Sequence, residues 1–296
     1  MTGGERTVSW GELERETTAR LAEAHIPEPA ISGRAIAMRA GGADNPTEWA
    51  DLVTRPATIR GVAALDAMTA RRLAGEPLQY VVAEWGFRHL DLYVDHRVLI
   101  PRPETEVVAG VALAELARID PDRSGSLAAD LGTGSGAIGL SLVREHDGVQ
   151  VWMTDVSSGA LAVARANLAG VGRSGARVRI AQGSWFEALP DELRGRFDVL
   201  VSNPPYVADG EDLPAEVADW EPGLALRAGP RGTERLEHLV AEGPGWLRPH
   251  GALVLELAPH QAEAVATLAA DRFATVAVVD DLAGRARAVV ARHPLV

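Results

Sequence analysis

Asn203-Pro204-Pro205-Tyr206 follows the apolar run Phe197-Asp198-Val199-Leu200-Val201-Ser202. That run predicts a buried strand. The two prolines forbid both helix and further ladder pairing. Asn203 is therefore expected at the strand's carboxyl end, its conformation restricted by the proline that follows. Open α/β sheets place their ligand sites there. An Asn amide offers an acceptor oxygen and two donors but no charge. Such a group suits gripping another planar nitrogen group, an amide or a ring amine, by its hydrogens. The position suggests chemistry on a poorly nucleophilic NH2. Read alone, the tetrapeptide is ordinary turn punctuation; its company along the chain changes that reading.

Upstream, Asp130-Leu131-Gly132-Thr133-Gly134-Ser135-Gly136 closes one expected strand and opens a helix. Glycines let the backbone turn tightly and approach a ligand closely. Gly134-x-Gly136-x-x-Gly139 also satisfies the dinucleotide pattern, but its first glycine falls two residues past the strand end, where Gly132 sits instead. Loops of the Asp-x-Gly-x-Gly-x-Gly type cradle the amino-acid part of S-adenosyl-L-methionine. Asp155 ends the next strand, 23 residues after Gly132. A carboxylate there accepts both hydroxyls of a ribose, or caps the helix that begins near Ser157. Trp185, just after the third strand, is a candidate to flank an adenine ring or to pack as a core indole.

Elements must position these groups, and the 296 residues allow two domains. Residues 1 to about 75 carry helical signals only. Ser9 with Glu12 predicts a capping box. Pro27 and Pro29 start a second helix stopped by Gly41-Gly42. A third runs from near Thr58 to Gly75. Trp85, Phe87, Leu90, Leu92 and Val94 alternate, as in a short hairpin. After Ile100-Pro101-Arg102-Pro103, a helix opens at Glu104 or Thr105. Strands are expected at Ser126–Leu131, Val149–Thr154, Arg177–Ala181, Phe197–Ser202, Ala252–Leu257, Thr275–Val279 and Ala286–Ala291, mostly separated by helices. This alternation predicts an α/β fold, with a parallel sheet between helical layers and an antiparallel edge. The expected domains are residues 1–77 (helical), 78–100 (hairpin linker) and 101–296 (sheet domain). The longest irregular stretch, about Val207 to Gly232, suggests a lid or substrate contact.

The formal charge is −12, from 41 acidic and 29 basic residues, and every basic residue is Arg. An acidic chain is a poor nonspecific nucleic-acid binder. With no cysteine, disulfides, thiolate catalysis and Cys-ligated metals are excluded, and the eight His show no trusted ligand spacing, so no metal is expected. Neither a signal peptide nor an apolar run near the roughly 20 residues of a membrane helix is visible. A cytoplasmic location and no membrane partner are expected.

Together these features resemble the protein-(glutamine-N5) methyltransferases that modify peptide chain release factors. The resemblance covers roughly residues 55–296. It is strongest over Arg71–Tyr80, Leu99–Glu106, Asp130–Gly136 and Asn203–Tyr206, with Trp220-Glu221-Pro222 and Asp281–Arg285 as further similar segments. It implies an N-terminal helical domain that helps engage the release factor, a connecting hairpin, and a seven-stranded Rossmann-like class I methyltransferase domain. Carried over by position, Gly132, Thr133, Gly134, Ser135, Gly136, Asp155, Trp185 and Asn203 would contact S-adenosyl-L-methionine. Asn203, Pro204, Pro205 and Tyr206 would hold the substrate glutamine, with Asn203, Pro204 and Tyr206 closest to the chemistry. The implied reaction methylates the side-chain amide nitrogen of the glutamine in a Gly-Gly-Gln motif during translation termination. Two positions depart from the pattern. Ser184 stands where an acid is usual, and Ala83 where a Gly is common. Arg102 and Glu104 either shape the pocket or form a structural ion pair.

Three other readings compete. The same tetrapeptide serves adenine-N6 and guanine-N2 nucleic-acid methyltransferases, which must capture a base. A nicotinamide-dependent oxidoreductase would use Gly134–Gly139. A non-catalytic module would keep only the fold. The charge and the helical N-terminus disfavour the first, and the intact Asn203–Tyr206 run disfavours the last. The expected partner is a release factor rather than nucleic acid, and the expected state is a monomer.

Overall fold

The Ser9 hydroxyl accepts from the Glu12 N–H while the Glu12 carboxylate accepts from the Ser9 N–H at 2.8 Å. This reciprocal cap starts α1 (Trp10–Glu23) in a computed structural model that describes residues 7–295. Residues 1–6 and Val296, the ends of the expected first and last domains, lie outside the described residues. α2 (Pro29–Gly41) has proline at its start and ends on left-handed Gly42. α3 (Pro46–Leu52) is capped by Asn45, whose side chain accepts from the Thr47 and Glu48 N–H groups. α4 (Ile59–Leu73) is capped by Thr58, and α5 (Leu78–Val82) follows a tight turn. Their apolar faces meet around Trp10, Leu21, Ile36, Trp49 and Leu65, all buried.

The Arg71–Tyr80 run is a structural knot in this unit. The Arg71 guanidinium pairs with Glu76 and donates to the Tyr80 carbonyl at 3.0 Å, and Arg72 donates to the Glu76 carbonyl at 2.8 Å. α5 ends at Ala83 with φ 56°. A Cβ in the left-handed region costs roughly 1–2 kcal/mol, more than the extra chain entropy glycine brings. Ala83→Gly is therefore expected to stabilise the helical unit by up to about 1 kcal/mol, read as a higher midpoint in denaturant. An unchanged or lower midpoint would contradict this.

The chain divides into two units after Glu84. The expected linker stretch of residues 78–100 thus begins with a helical turn in the first unit, while its hairpin, β1 (Trp85–Phe87) with β2 (Leu90–Leu92), lies in the second. There the Trp85 indole N–H donates to the Pro101 carbonyl at 2.9 Å. α6 (Pro103–Ile119) follows Arg102, with proline at its first position and Glu104 and Glu106 in its first turn, where carboxylates favour the helix dipole.

The remaining order is β3 (Ser126–Leu131), α7 (Ala137–Glu145), β4 (Val149–Asp155), α8 (Ser158–Gly170), β5 (Val178–Gln182), β6 (Phe197–Ser202), β7 (Val207–Ala208), α9 (Ala215–Ala218), α10 (Gly223–Leu226), β8 (Arg227–Gly229), α11 (Glu234–Glu242), β9 (Leu247–Glu256), α12 (Ala262–Ala270), β10 (Phe273–Asp280) and β11 (Ala286–Pro294). Seven strands form one sheet in the order β10-β11-β9-β6-β3-β4-β5. β3, β4, β5, β6 and β9 pair in parallel; β11 is antiparallel to both β9 and β10. Side chains of one parity, such as Leu131, Leu200, Leu253 and Val289, pack with Leu236 and Leu239 of α11 and Val265 of α12. α6 and α7 pack together and lie against β6, β9 and β4.

From β3 the chain steps outward to β4 and β5, then returns to β6 on the other side of β3. The loops after β3 and β6 diverge there, at a topological switch point. No helix among the described residues is long and apolar enough to cross a membrane.

Candidate active site

The loop after β3 carries three left-handed glycines: Gly132 (φ 74°), Gly134 (φ 55°) and Gly136 (φ 89°). A Cβ on Gly132 would stand 3.3 Å from the Trp185 ring, and one on Gly134 would meet only open space. A side chain would thus be strained by conformation at both, and crowded by the indole at the first. The Asp155 carboxylate at the end of β4 holds this loop: Oδ2 accepts from the Gly134 N–H at 2.9 Å and Oδ1 from the Ser157 N–H at 2.8 Å. Asn167 of α8 fastens it from the other side by donating to the Ser135 carbonyl at 2.8 Å.

A cavity of about 260 Å³ opens above this loop. Gly132, Thr133, Gly134, Ser135, Asp155, Trp185, Asn203 and Pro205 line it, so the structure brings most of the expected site residues together. Three expected residues are not among the lining. Gly136 turns beneath, against Met153 and Leu140. Pro204 is buried in the strand exit. Tyr206 packs beside the core, its carbonyl accepting from Gln261 at 2.9 Å. Trp185 itself has φ 48°, a strained conformation for a bulky residue, and is half-buried at the cavity wall. Ser184 precedes it and also lines the cavity.

Residues to which the sequence assigns no role also belong here. Asp130 is buried beneath the loop, its Oδ2 accepting from the Thr133 hydroxyl (2.6 Å) and the Gly139 N–H (2.8 Å). Its Oδ1 has no hydrogen-bond partner among the described residues. Burial pushes this carboxyl up to about 6, and burial also raises that of Asp155. Thr105, in the first turn of α6, lines the cavity and accepts from Asn203 Nδ2 at 3.2 Å. The Asn203 Oδ1 accepts no hydrogen bond from the described residues. The signal for Asp130 lay in the glycine motif, whose leading acid has to be buried under the loop. Thr105 had no such signal, because α6 reaches the cavity only through the fold.

Both candidate pocket charges form ion pairs. Arg102 pairs with Glu221, whose carboxylate also accepts from the Ile100 N–H at 3.1 Å; Glu104 meets Arg285 at 3.2 Å. Glu221 thus anchors the stretch between Val207 and Gly232 against the entry to α6. That stretch, expected to be irregular, contains β7, α9, α10 and β8, and its Pro222, Leu224 and Ala225 line the cavity.

The Asp130 carboxyl gives a stability prediction with a definite sign. Its folded pKa is raised from 3.8 to about 6, so the stability from its neutral form is complete below about pH 3.8 and lost as pH rises through 6. Relative to Asp130→Asn, the unliganded wild type is expected to lose stability between pH 4 and 7, measured as thermal midpoints in parallel. A difference that does not vary with pH would contradict the burial of this charge.

A switch-point cavity flanked by a glycine loop, a ribose-spaced carboxylate and an Asn-Pro-Pro turn defines a Rossmann-like methyltransferase domain. The likeness to a methyltransferase from Pyrococcus furiosus supports that fold: 19% identity, TM-score 0.50, covering 78% of this chain and 100% of the other. The family described as methyltransferase small domain matches residues 112–218, and the PrmC N-terminal domain matches residues 12–82. Release factor glutamine methyltransferases from Chlorobaculum tepidum and Cereibacter sphaeroides are 38% and 37% identical, over 94% and 95% of this chain and 95% and 97% of their own. The chain belongs to the release factor glutamine methyltransferase family.

Proposed function

We propose that this protein transfers a methyl group from S-adenosyl-L-methionine to the side-chain amide nitrogen of a glutamine in the Gly-Gly-Gln motif of a release factor. The observation that carries the reading is Asn203: a neutral carboxamide at the end of β6, lining the cavity, with an acceptor oxygen left unpaired beside the glycine loop. S-adenosyl-L-methionine supplies an electrophilic sulfonium methyl when bound.

The residues present fit that ligand. The unpartnered, buried Asp130 Oδ1 matches a ligand ammonium group. Each Asp155 oxygen keeps a lone pair for a ribose hydroxyl beyond its bond to Gly134 or to Ser157. The Gly132–Gly136 backbone allows close approach, and the Trp185 ring offers a flat face for adenine. Ser184 or backbone groups recognise the adenine amine, since no carboxylate stands at Ser184.

A glutamine amide attacks poorly because its lone pair is delocalised into the carbonyl. The protein's task is then positioning, with reacting atoms about 3 Å apart and in line. Asn203 Oδ1 and the Pro204 carbonyl each accept one amide hydrogen, which orients the nitrogen and favours the positive charge that develops on it. Pro205 closes the edge of the cavity, and Tyr206 supports the turn from the core side. No strong general base is required, because the methylated nitrogen loses its proton readily to water. The helical unit engages the release factor, and the working location is the cytoplasm, where translation termination occurs.

Transfer of labelled methyl to a purified release factor, with parallel samples of RNA and DNA, tests the acceptor class. Label in protease-sensitive material supports the proposal. Label in nuclease-sensitive material would place the protein with the base-directed enzymes instead.

A further inference from the structure

The lining of the cavity above the glycine loop holds two carboxylates, Asp130 and Asp155, and two cations, Arg97 and Arg235. The carboxylates brace the loop. Arg97 is taken by Asp95, its Nε donating to Oδ1 at 2.9 Å. Arg235 is different: its guanidinium makes no hydrogen bond or ion pair with the described residues.

Nothing in the fold accounts for a cation at this position. Arg235 stands in the first turn of α11, where the helix dipole disfavours positive charge. The acids of that turn, Glu234 and Glu237, are taken by Arg231 at 3.3 and 2.7 Å. A second cavity, of about 450 Å³, adjoins the first. The two share Ser184, Trp185 and Arg235, and no residue of the glycine loop. Arg235 therefore belongs to the Trp185 end of the site. Glu187, Asp191 and Glu242 line the second cavity, yet none of them bonds to Arg235; Asp191 pairs with Arg194 at 3.0 Å.

We propose that Arg235 is a cofactor-binding residue whose guanidinium donates to a ring nitrogen of the adenine lying against Trp185. The proposal rests on the cofactor reading under Proposed function. Adenine presents ring nitrogens that accept and an amine that donates. A guanidinium donates only, so it fits the ring nitrogens and leaves the amine to Ser184 or the backbone. The cofactor's carboxylate, the other group a cation could take, belongs to the amino-acid part over the glycine loop. Arg235 lies instead at the end walled by Ser184 and Trp185.

Calorimetry with two ligands tests this. S-adenosylhomocysteine carries the whole cofactor frame, and 5′-methylthioadenosine keeps the adenosine but lacks the amino-acid part. Arg235 is exposed and makes no bond, so its removal leaves the fold intact. Arg235→Ala is expected to weaken both ligands about tenfold or more, the worth of a hydrogen bond to a charged group. Analogues of 5′-methylthioadenosine with one ring nitrogen replaced by carbon (the 1-, 3- and 7-deaza forms) locate the contact. One of them should bind wild type about tenfold more weakly than the parent, and Arg235→Ala should abolish that difference. Unchanged affinity of Arg235→Ala for both ligands would overturn the proposal. So would a loss confined to S-adenosylhomocysteine, which would assign Arg235 to the ligand carboxylate. Full affinity of wild type for every deaza form, or a deaza penalty that persists in Arg235→Ala, would overturn it as well. A wild type that binds neither ligand would overturn the cofactor reading itself and the base contact with it. Binding to wild type that Arg235→Ala leaves unchanged counts against Arg235 alone.

Discussion

Asn203→Ala should lower turnover about a hundred- to thousandfold, the usual loss when one preorganised group facing developing charge is removed. Among the described residues, the Asn203 side chain makes one hydrogen bond, from Nδ2 to Thr105, so little else depends on it. It is only partly buried, and the strand behind it is held by the β3 and β9 ladders. Thermal stability and cofactor affinity are therefore expected to stay near wild type while kcat collapses. That split separates a group that orients the acceptor from one that builds the pocket. Near-normal turnover would remove Asn203 from its role. A matching loss of cofactor affinity would instead assign it to cofactor binding alone.

Asp155→Ala should act on the opposite term. The carboxylate would accept from ribose hydroxyls while also holding the glycine loop through Gly134. Hydrogen bonds to charged groups contribute roughly 1.5–3 kcal/mol, so cofactor affinity should weaken about ten- to hundredfold or more. At saturating cofactor, much of kcat should return, because Asp155 lies on β4 and not beside the acceptor amide. Asp155→Asn keeps one carbonyl oxygen for the loop and should fall between the two. Calorimetry showing unchanged affinity in Asp155→Ala would contradict the ribose role and leave this carboxylate as a brace for Gly134 and for Ser157, the residue that caps α8.

Much of this site was legible because its residues sit where local chemistry is strict. Left-handed turns at Gly132 and Gly136 admit few residues other than glycine, so the loop announces itself. The two prolines after Asn203 mark a strand end with equal clarity. Strand cores were legible for the same reason: β3 and β6 run over the expected residues, being apolar and bounded by turns. Elements that depend on tertiary partners were harder. α3 has only seven residues, and its signal is the Asn45-Pro46 start. β9 begins at Leu247, earlier than Ala252, because its first residues pair across a register shift with Phe197. Thr105 reaches the site from α6, and no spacing along the chain predicts that it meets Asn203.

Peptide mass analysis of a release factor incubated with this protein and S-adenosyl-L-methionine tests the methyl transfer most directly. A single methyl is expected on the side-chain amide of the glutamine in its Gly-Gly-Gln motif, absent without S-adenosyl-L-methionine and nearly lost with Asn203→Ala. A methyl found on another side chain, or an unmodified peptide beside methylated nucleic acid, would contradict it.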